Sequence, residues 1–344
     1  MTPHPEQLAA VRIAVQKRRG IIEAVTGSGK SLMIGLLIQE LQVPTLIVTP
    51  SLELKTQLTE SLKSWFGANK VGKGRPIWVE NVQGLRLQPV LGYDCLIIDE
   101  FHHSAALTYR QLNKKAWMNI YYRFGFTATP FRSNEAESIL LETILSTVIY
   151  KLSYKRAVEA GYIVPVEAFY VDLPKTPTDA HTWAQVYSTL VTKNDTRNTV
   201  IADLVLSLTA PTLVLVKEVA HGKALSDLTG IPFVHGQDEE SRDYIQQFNS
   251  GKILQLIGTT GIISEGVDTK PCEWVIIAGL GKAKSAFMQQ VGRAVRRYGT
   301  KDSAKIVIFR DKSHRFTLRH FSAQTKILLT EYGVQPIKII PQGG

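Results

Sequence analysis

The residues best suited to chemistry in this 344-residue chain begin with Ala24-Val25-Thr26-Gly27-Ser28-Gly29-Lys30-Ser31. An apolar, strand-prone stretch precedes the run and a helix-period stretch follows it, which is the context a phosphate-binding loop requires. Gly27 and Gly29 let backbone amides curl around phosphate oxygens. A helix opening near Lys30 adds the positive end of its dipole. Lys30 then reaches toward β and γ phosphates, and the Ser31 hydroxyl toward Mg2+. Ala24 stands where such loops commonly open with glycine. The plain alternative is a Gly-rich turn before a helix.

A second cluster follows the apolar run Leu96-Ile97-Ile98. Asp99 and Glu100 come directly after it, which places both acids at the carboxyl edge of a sheet, where α/β folds bind ligands. Asp99 suits Mg2+ and Glu100 suits a base or orienter for attacking water. A surface turn would also explain the pair taken alone. His102 reads as a polar relay beside them, or as a solvated turn residue. Thr127 and Thr129, in Gly125-Phe126-Thr127-Ala128-Thr129-Pro130, end another strand pattern at the same edge. Two β-formers before a proline stop would explain them equally well.

Near the C-terminus, Gln289-Gln290-Val291-Gly292-Arg293-Ala294-Val295-Arg296-Arg297 reads as part of a helix over 285–297. Arg293 and Arg296, three apart, would share one face. Guanidinium forks suit a polyphosphate, although a solvated basic face is the simpler reading. Upstream, Gly258-Thr259-Thr260-Gly261 follows a strand pattern, with Glu265-Gly266-Val267-Asp268 close behind. Such a strand end can offer amides and hydroxyls to a phosphodiester backbone.

The elements that must position these residues form an alternating pattern. Strands are predicted at 20–25, 44–49, 77–80, 94–98 and 122–126, with helices at 31–41 and 52–65. In the second half, strands are predicted at 166–171, 212–216, 233–235, 254–257, 274–278 and 304–309, with helices at 239–248 and 285–297. A helix-like stretch also covers Glu135–Leu145, and the Pro-rich 174–179 reads as a loop. This rhythm predicts an α/β fold of two domains, 1–152 and 153–344, each a mostly parallel sheet flanked by helices. The second carries a basic segment from about residue 310.

Forty Lys and Arg against 30 Asp and Glu give a formal net charge of +10. The stretch 281–326 holds 12 of those cations and 2 of the acids, so the whole excess sits there. Such a concentration favours a polyanionic partner. Two separated cysteines, Cys95 and Cys272, argue against a disulfide scaffold or a zinc site and fit a reducing compartment. With no signal-peptide core and no apolar run of transmembrane length, the expectation is a cytoplasmic protein with no membrane partner, or one in the host cytoplasm if phage-encoded.

In their order and spacing, these blocks resemble the superfamily II helicases of the DExH type. The nearest groups are the phage UvsW-like branched-DNA helicases and the helicase subunits of restriction enzymes. The resemblance runs from about Gln7 to Arg297 and rests on the loop at Thr26–Ser31, Thr49-Pro50-Ser51 with Gln57, and Asp99-Glu100-Phe101-His102. It continues through Thr127-Ala128-Thr129, His235-Gly236, Gly258–Asp268 and Gln289–Arg296. It implies two RecA-like domains with ATP and Mg2+ in the cleft between them. Gln7 would touch the adenine and Asp268 the ribose, with Gln289 near the γ-phosphate and Arg293 and Arg296 as arginine fingers. Thr49, Pro50, Ser51, Gln83, Thr259 and Thr260 would line a nucleic-acid backbone, with Lys217 beside them. A solvated basic surface would explain the remaining cations, among them Lys282, Lys284, Arg310, Lys312, Arg315, Arg319 and Lys326; apart from the resemblance, the charge itself predicts that the segment after Phe309 adds affinity for the strand.

The implied activity is ATP-dependent translocation on single-stranded or branched DNA by a monomer. An RNA helicase and a nucleic-acid-stimulated ATPase clamp are the alternatives. Partners would be a nuclease or replication and recombination proteins. With about 25 residues before the loop and no long insertion between motifs, the expectation is a minimal two-domain motor.

Overall fold

The computed structural model describes residues 3–85, 92–101, 117, 119–128, 145–236, 240–261, 272–279, 281, 283–299 and 301–340, without the side chains of 53 and 285. The candidates His102, Thr129 and Asp268 lie outside the described residues, as do Lys282 and nearly all of the expected helix at 135–145. The chain divides into two units, Met1–Ala157 and Val158–Gly344.

The first unit runs α1 (Pro5–Lys17), β1 (Arg19–Ala24), α2 (Lys30–Leu41), β2 (Thr45–Thr49), α3 (Leu52–Phe66), β3 (Ile77–Asn81), α4 (Val82–Leu85), β4 (Cys95–Asp99), β5 (Tyr122–Thr127), β6 (Val148–Leu152) and α5 (Tyr154–Glu159). Its strands form one sheet in the order β3-β2-β4-β5-β1-β6, every neighbouring pair parallel. Strands β2 and β4 are buried at every position. That explains their near-continuous apolar sequence, since a central parallel strand is covered on both faces. One face packs Ile21, Leu46, Val48, Leu96 and Ile98 against Trp78, Phe101 and Trp117.

Periodicity places no helix over Pro5–Lys17 and no strand over Val148–Leu152. The helix buries only Gln7, Ala10, Val11 and Ala14, and the strand is a half-exposed sheet edge. Tertiary contacts hold them instead. Glu6 of α1 accepts a hydrogen bond from the Tyr150 hydroxyl of β6 and one at 2.9 Å from the Arg156 guanidinium.

The second unit runs β7 (Val166–Asp172), α6 (Trp183–Tyr187), α7 (Asp195–Ser207), β8 (Thr212–Val216), α8 (Val219–Thr229), β9 (Phe233–Val234), α9 (Ser241–Asn249), β10 (Gln255–Thr259), β11 (Trp274–Ile277), α10 (Lys284–Ala294), β12 (Ala304–Arg310), α11 (Arg315–Tyr332) and β13 (Ile337–Lys338). The sheet order is β13-β7-β12-β11-β8-β10-β9, again parallel throughout. Strands β7 and β12 are clamped where Arg310 of β12 meets Asp172 of β7 through two bonds of 2.5 and 2.7 Å. Arg310 and Lys338 hold the Asp172 carboxyl well below the usual carboxylate range.

Polar groups are buried behind this sheet. Arg197 of α7 is 1% exposed and donates to the Ala278 carbonyl at 2.7 Å. Its guanidinium lies 5.2 Å over the Phe309 ring, and burial lowers its pKa to about 10. His221 of α8, fully buried, sits 3.1 Å from the Asn198 amide oxygen. Burial, with the Arg197 charge behind it, pushes its pKa from 6.5 down to about 3. The unfolded chain takes up that proton near pH 6.5 and the folded chain does not. Stability from this site is therefore full above about pH 6.5 and falls by up to ~1.4 kcal/mol per pH unit as the pH drops toward 3. Thermal melts at pH 7 and pH 5 test this. The wild type should lose more stability on acidification than His221→Gln, which cannot titrate, and equal losses would remove His221 as the cause.

Candidate functional site

The glycine-rich run does join a strand to a helix. β1 ends at Ala24 and α2 opens at Lys30. Gly27 (φ 90°) and Gly29 (φ 81°) hold left-handed conformations that bend the chain between them. The Ser28 hydroxyl closes the bend by donating to the Val25 carbonyl at 2.6 Å. Gln7 holds the loop from outside: its amide nitrogen donates to the Ser28 carbonyl at 2.9 Å, and its amide oxygen accepts the His4 N–H at 3.0 Å. One donor and one acceptor are thus committed to the fold, leaving a second hydrogen and a second lone pair for a base. The first-turn amides of α2 have no helical carbonyl to pair with and can address an anion. Thr26, Gly27, Gly29 and Lys30 are half-buried, Ser31 is exposed and Ser28 is buried.

The acids arrive from β4. Lys30 Nζ lies 3.3 Å from Glu100 Oε1, with both side chains largely shielded from solvent. Glu100 has φ 47°, a conformation that costs a non-glycine residue of order 1–3 kcal/mol. Its N–H donates to Asp99 Oδ1 at 2.9 Å; bonds to a charged acceptor contribute about 1.5–3 kcal/mol, enough to offset that strain. Strand β5 lies between β4 and β1. Thr127, fully buried, therefore ends between the acids and the loop, in register with Glu23. Among the described residues no group of three or more His, Cys, Asp or Glu could cage a metal. A hydroxyl (Ser31) and one carboxylate (Asp99), completed by phosphate and water oxygens, is a donor set that fits Mg2+.

In the second unit, α10 carries Gln289, Gln290 and Arg293. With Thr260, Gly261 and Leu215 they line a cavity of about 160 Å3. The expectation that Arg293 and Arg296 share a helical face is corrected. The helix ends at Ala294, the Val164 N–H bonds to the Val295 carbonyl at 2.8 Å, and Arg296 pairs antiparallel with Ile163. A residue drawn into a β-bridge cannot continue a helix, so the two guanidiniums leave from different kinds of backbone.

Two family models match the chain: "Type III restriction enzyme, res subunit" over residues 1–132 and "Helicase conserved C-terminal domain" over residues 198–298. The chain belongs to the superfamily II helicases. It is 24% identical over 341 residues to the ATP-dependent DNA helicase uvsW of Enterobacteria phage T4, covering 88% of this chain and 67% of that protein. It is 22% identical over 364 residues to the DNA 3'-5' translocase XPB2 of Sulfurisphaera tokodaii, covering 88% of this chain and 80% of that one. It spans about half the length of other relatives it matches. Among solved structures, the ATP-dependent type ISP restriction-modification enzyme LlaBIII bound to DNA superposes with a TM-score of 0.71 at 13% identity, over 100% of this chain and 32% of that one. That likeness is one of fold.

The expected strand-contacting residues of this helicase divide by burial. Thr49 is fully buried and donates to the Ser51 carbonyl at 3.0 Å, so its side chain shapes the turn. Ser51 caps α3, accepting the Leu54 N–H at 3.3 Å. Pro50 is half-buried and Gln83 exposed. Thr259 is buried, whereas Thr260 beyond it is half-exposed.

The basic stretch divides too. Lys284 pairs with Glu331 at 2.5 Å, Lys305 with Glu273 at 2.6 Å, and Arg310 with Asp172. Lys301 donates to the carbonyls of Cys272 and Ala294. Arg310, in the segment expected to add strand affinity, instead neutralises a neighbouring acid, as does Lys284. Lys312, Arg315, Arg319 and Lys326 remain exposed with no ion pair among the described residues. Spacings of four and seven put the last three on one face of α11.

Buried Arg197 was not singled out from the sequence, because a lone arginine in a helical pattern gives no sign of burial. Gly29→Ala tests the loop. A Cβ there would come within 2.5 Å of the Gln7 amide nitrogen and sit at φ +81°. Nucleoside triphosphate affinity, measured by titration with a fluorescent analogue, should drop at least about tenfold; unchanged affinity would show that the loop does not hold phosphate.

Proposed function

We propose that this helicase couples ATP hydrolysis to movement along nucleic acid, with DNA preferred and branched or forked junctions as its substrates. The observation that carries the reading is the Lys30–Glu100 pair at 3.3 Å, beside Asp99 and at the head of a loop built for phosphate. In this reading the loop amides and Lys30 hold the β and γ phosphates, and the phosphates compete with Glu100 for the ammonium. Glu100 orients the attacking water. Ser31 and Asp99 hold Mg2+, which would neutralise charge developing on the phosphates. Arg293 and Arg296 act on the same nucleotide as arginine fingers, and Gln289 sits near its γ-phosphate. Loss of the γ-phosphate then releases the grip, the kind of local change that switches such proteins.

For the strand, the residues that support contact are Pro50, Ser51 and Gln83 in the first unit and Thr260, Arg315 and Arg319 in the second. Thr49 and Thr259 act through the backbone they shape. Hydroxyls and cations of this kind read phosphates and give little base specificity. The names of the phage and archaeal relatives, a DNA helicase and a DNA translocase, favour DNA. A nuclease or a replication or recombination protein is the kind of partner such a motor would serve.

The test is steady-state ATPase activity with single-stranded, duplex, forked and four-way DNA and with RNA. Stimulation should be greatest with forked or four-way DNA; stimulation by RNA alone would assign the motor to RNA, and none at all would refute the proposal. Arg296→Ala should keep ATP affinity within about twofold and lose roughly 10³-fold or more in turnover; near-wild-type turnover would take Arg296 out of the finger role.

Reversing charge at Arg315 and Arg319 should weaken binding to single-stranded DNA. The slope of log affinity against log salt should also flatten by roughly 0.7 for each phosphate that is no longer neutralised. An unchanged slope would assign those arginines to solvent.

A further inference from the structure

The C-terminal edge of the second sheet opens into a cavity of about 500 Å3, larger than the one beside Arg293. Trp183, Phe316, His320, Gln324, Lys217 and Thr260 line it. Its size falls within the range of small-molecule pockets, roughly 300–1,000 Å3. The Trp183 and His320 rings stack at 4.1 Å with 29° between their planes, and Phe316 stands edge-on to Trp183 at 6.1 Å. The helix that presents Trp183 runs straight into a π-helical turn at Ser188–Thr192, an irregularity that recurs at functional sites.

The inward face of α11 is unusual. Its C-terminal half buries Ile327 and Leu328, as a packed helix should, but its N-terminal half buries Thr317, His320 and Gln324. Gln324 is 1% exposed, and its amide oxygen has no hydrogen-bond partner among the described residues. A buried acceptor left unmet is unfavourable, so the position asks for a donor from within the cavity. Lys217 and Thr260 stand at the cavity's lining, whereas the exposed Arg315, Arg319 and Lys326 project from the opposite face of α11. Aromatic walls, one polar acceptor and the cationic Lys217 at the lining match a nucleobase carried on a phosphate backbone.

We infer that this cavity receives one unstacked base of the bound strand, an assignment that rests on the nucleic-acid reading above. The aromatic cluster supplies the stacking surface and Gln324 accepts a hydrogen bond from the base edge. Every base offers an N–H on that edge, so the subsite adds affinity and register without sequence preference.

The full chain is titrated, at fixed salt, with a fluorescent single-stranded oligonucleotide and with an equally long strand lacking its bases. The wild type should prefer the base-bearing strand by about fivefold or more. Trp183→Ala and Gln324→Leu should each shrink that preference, Trp183→Phe should restore most of it, and the salt slope should stay constant. Persistence of the full preference in folded Trp183→Ala and Gln324→Leu, checked by circular dichroism, overturns the subsite. So does displacement of the strand by equal concentrations of thymidine monophosphate, which would give the cavity to a free nucleotide. Equal affinity of the wild type for both strands overturns the subsite alone. Binding to neither strand overturns the functional proposal with it.

Discussion

An all-parallel sheet delivers the C-terminal end of every strand to one edge, and the candidate nucleotide site and the larger cavity depend on that constraint. In the first sheet, β1, β4 and β5 bring Lys30, Asp99, Glu100 and Thr127 together from sequence positions far apart. In the second, β8, β10 and β11 end beside Lys217, Thr260 and Gly279, the residues from which the larger cavity is built. Hairpins would scatter these ends between two edges. Parallel crossovers cannot, because each connection returns the chain to the same starting edge.

The phosphate loop shows how much of a site is made by residues that need never touch a ligand. Gly27 and Gly29 supply the bend, and Ser28 closes it with its own hydroxyl. Gln7 fixes it from α1, and α1 is in turn held by Glu6 against Tyr150 and Arg156. Across the sheet, Glu100 keeps an unfavourable backbone angle because Asp99 accepts its N–H and Lys30 faces its carboxylate. The strained φ of Glu100, directly after β4, thus sits beside Asp99 and Lys30.

The second unit spends its buried polarity differently. Arg197 and His221 lie under the sheet with burial opposing their charged forms. An apolar filling would pack there at less cost. Their bonds to the Ala278 carbonyl and to Asn198 tie α7 and α8 to the end of β11, immediately before the glycine that lines the cavity. His320 and Gln324 continue the same pattern on α11. Polar groups therefore gather behind the edge where ligands would bind.

The amino-acid sequence by itself determined the α/β class, most strands to within a residue or two, and where a glycine-rich loop and two acids would follow strands. Those signals are local: an apolar run, a glycine pair, two carboxylates after a strand. It also located the basic excess. Only the tertiary structure decided which of those cations are available. Lys284 and Arg310 meet acids distant in sequence, and Arg315 and Arg319 do not. Tertiary structure likewise buried Thr49 and Thr259, drew Arg296 out of the helix into a bridge with Ile163, and placed Trp183 against His320. Each of these depends on a partner far away in the sequence or on which side of a sheet a strand end faces. Helical and strand periodicities encode a residue's own face, and nothing in them specifies what that face will meet.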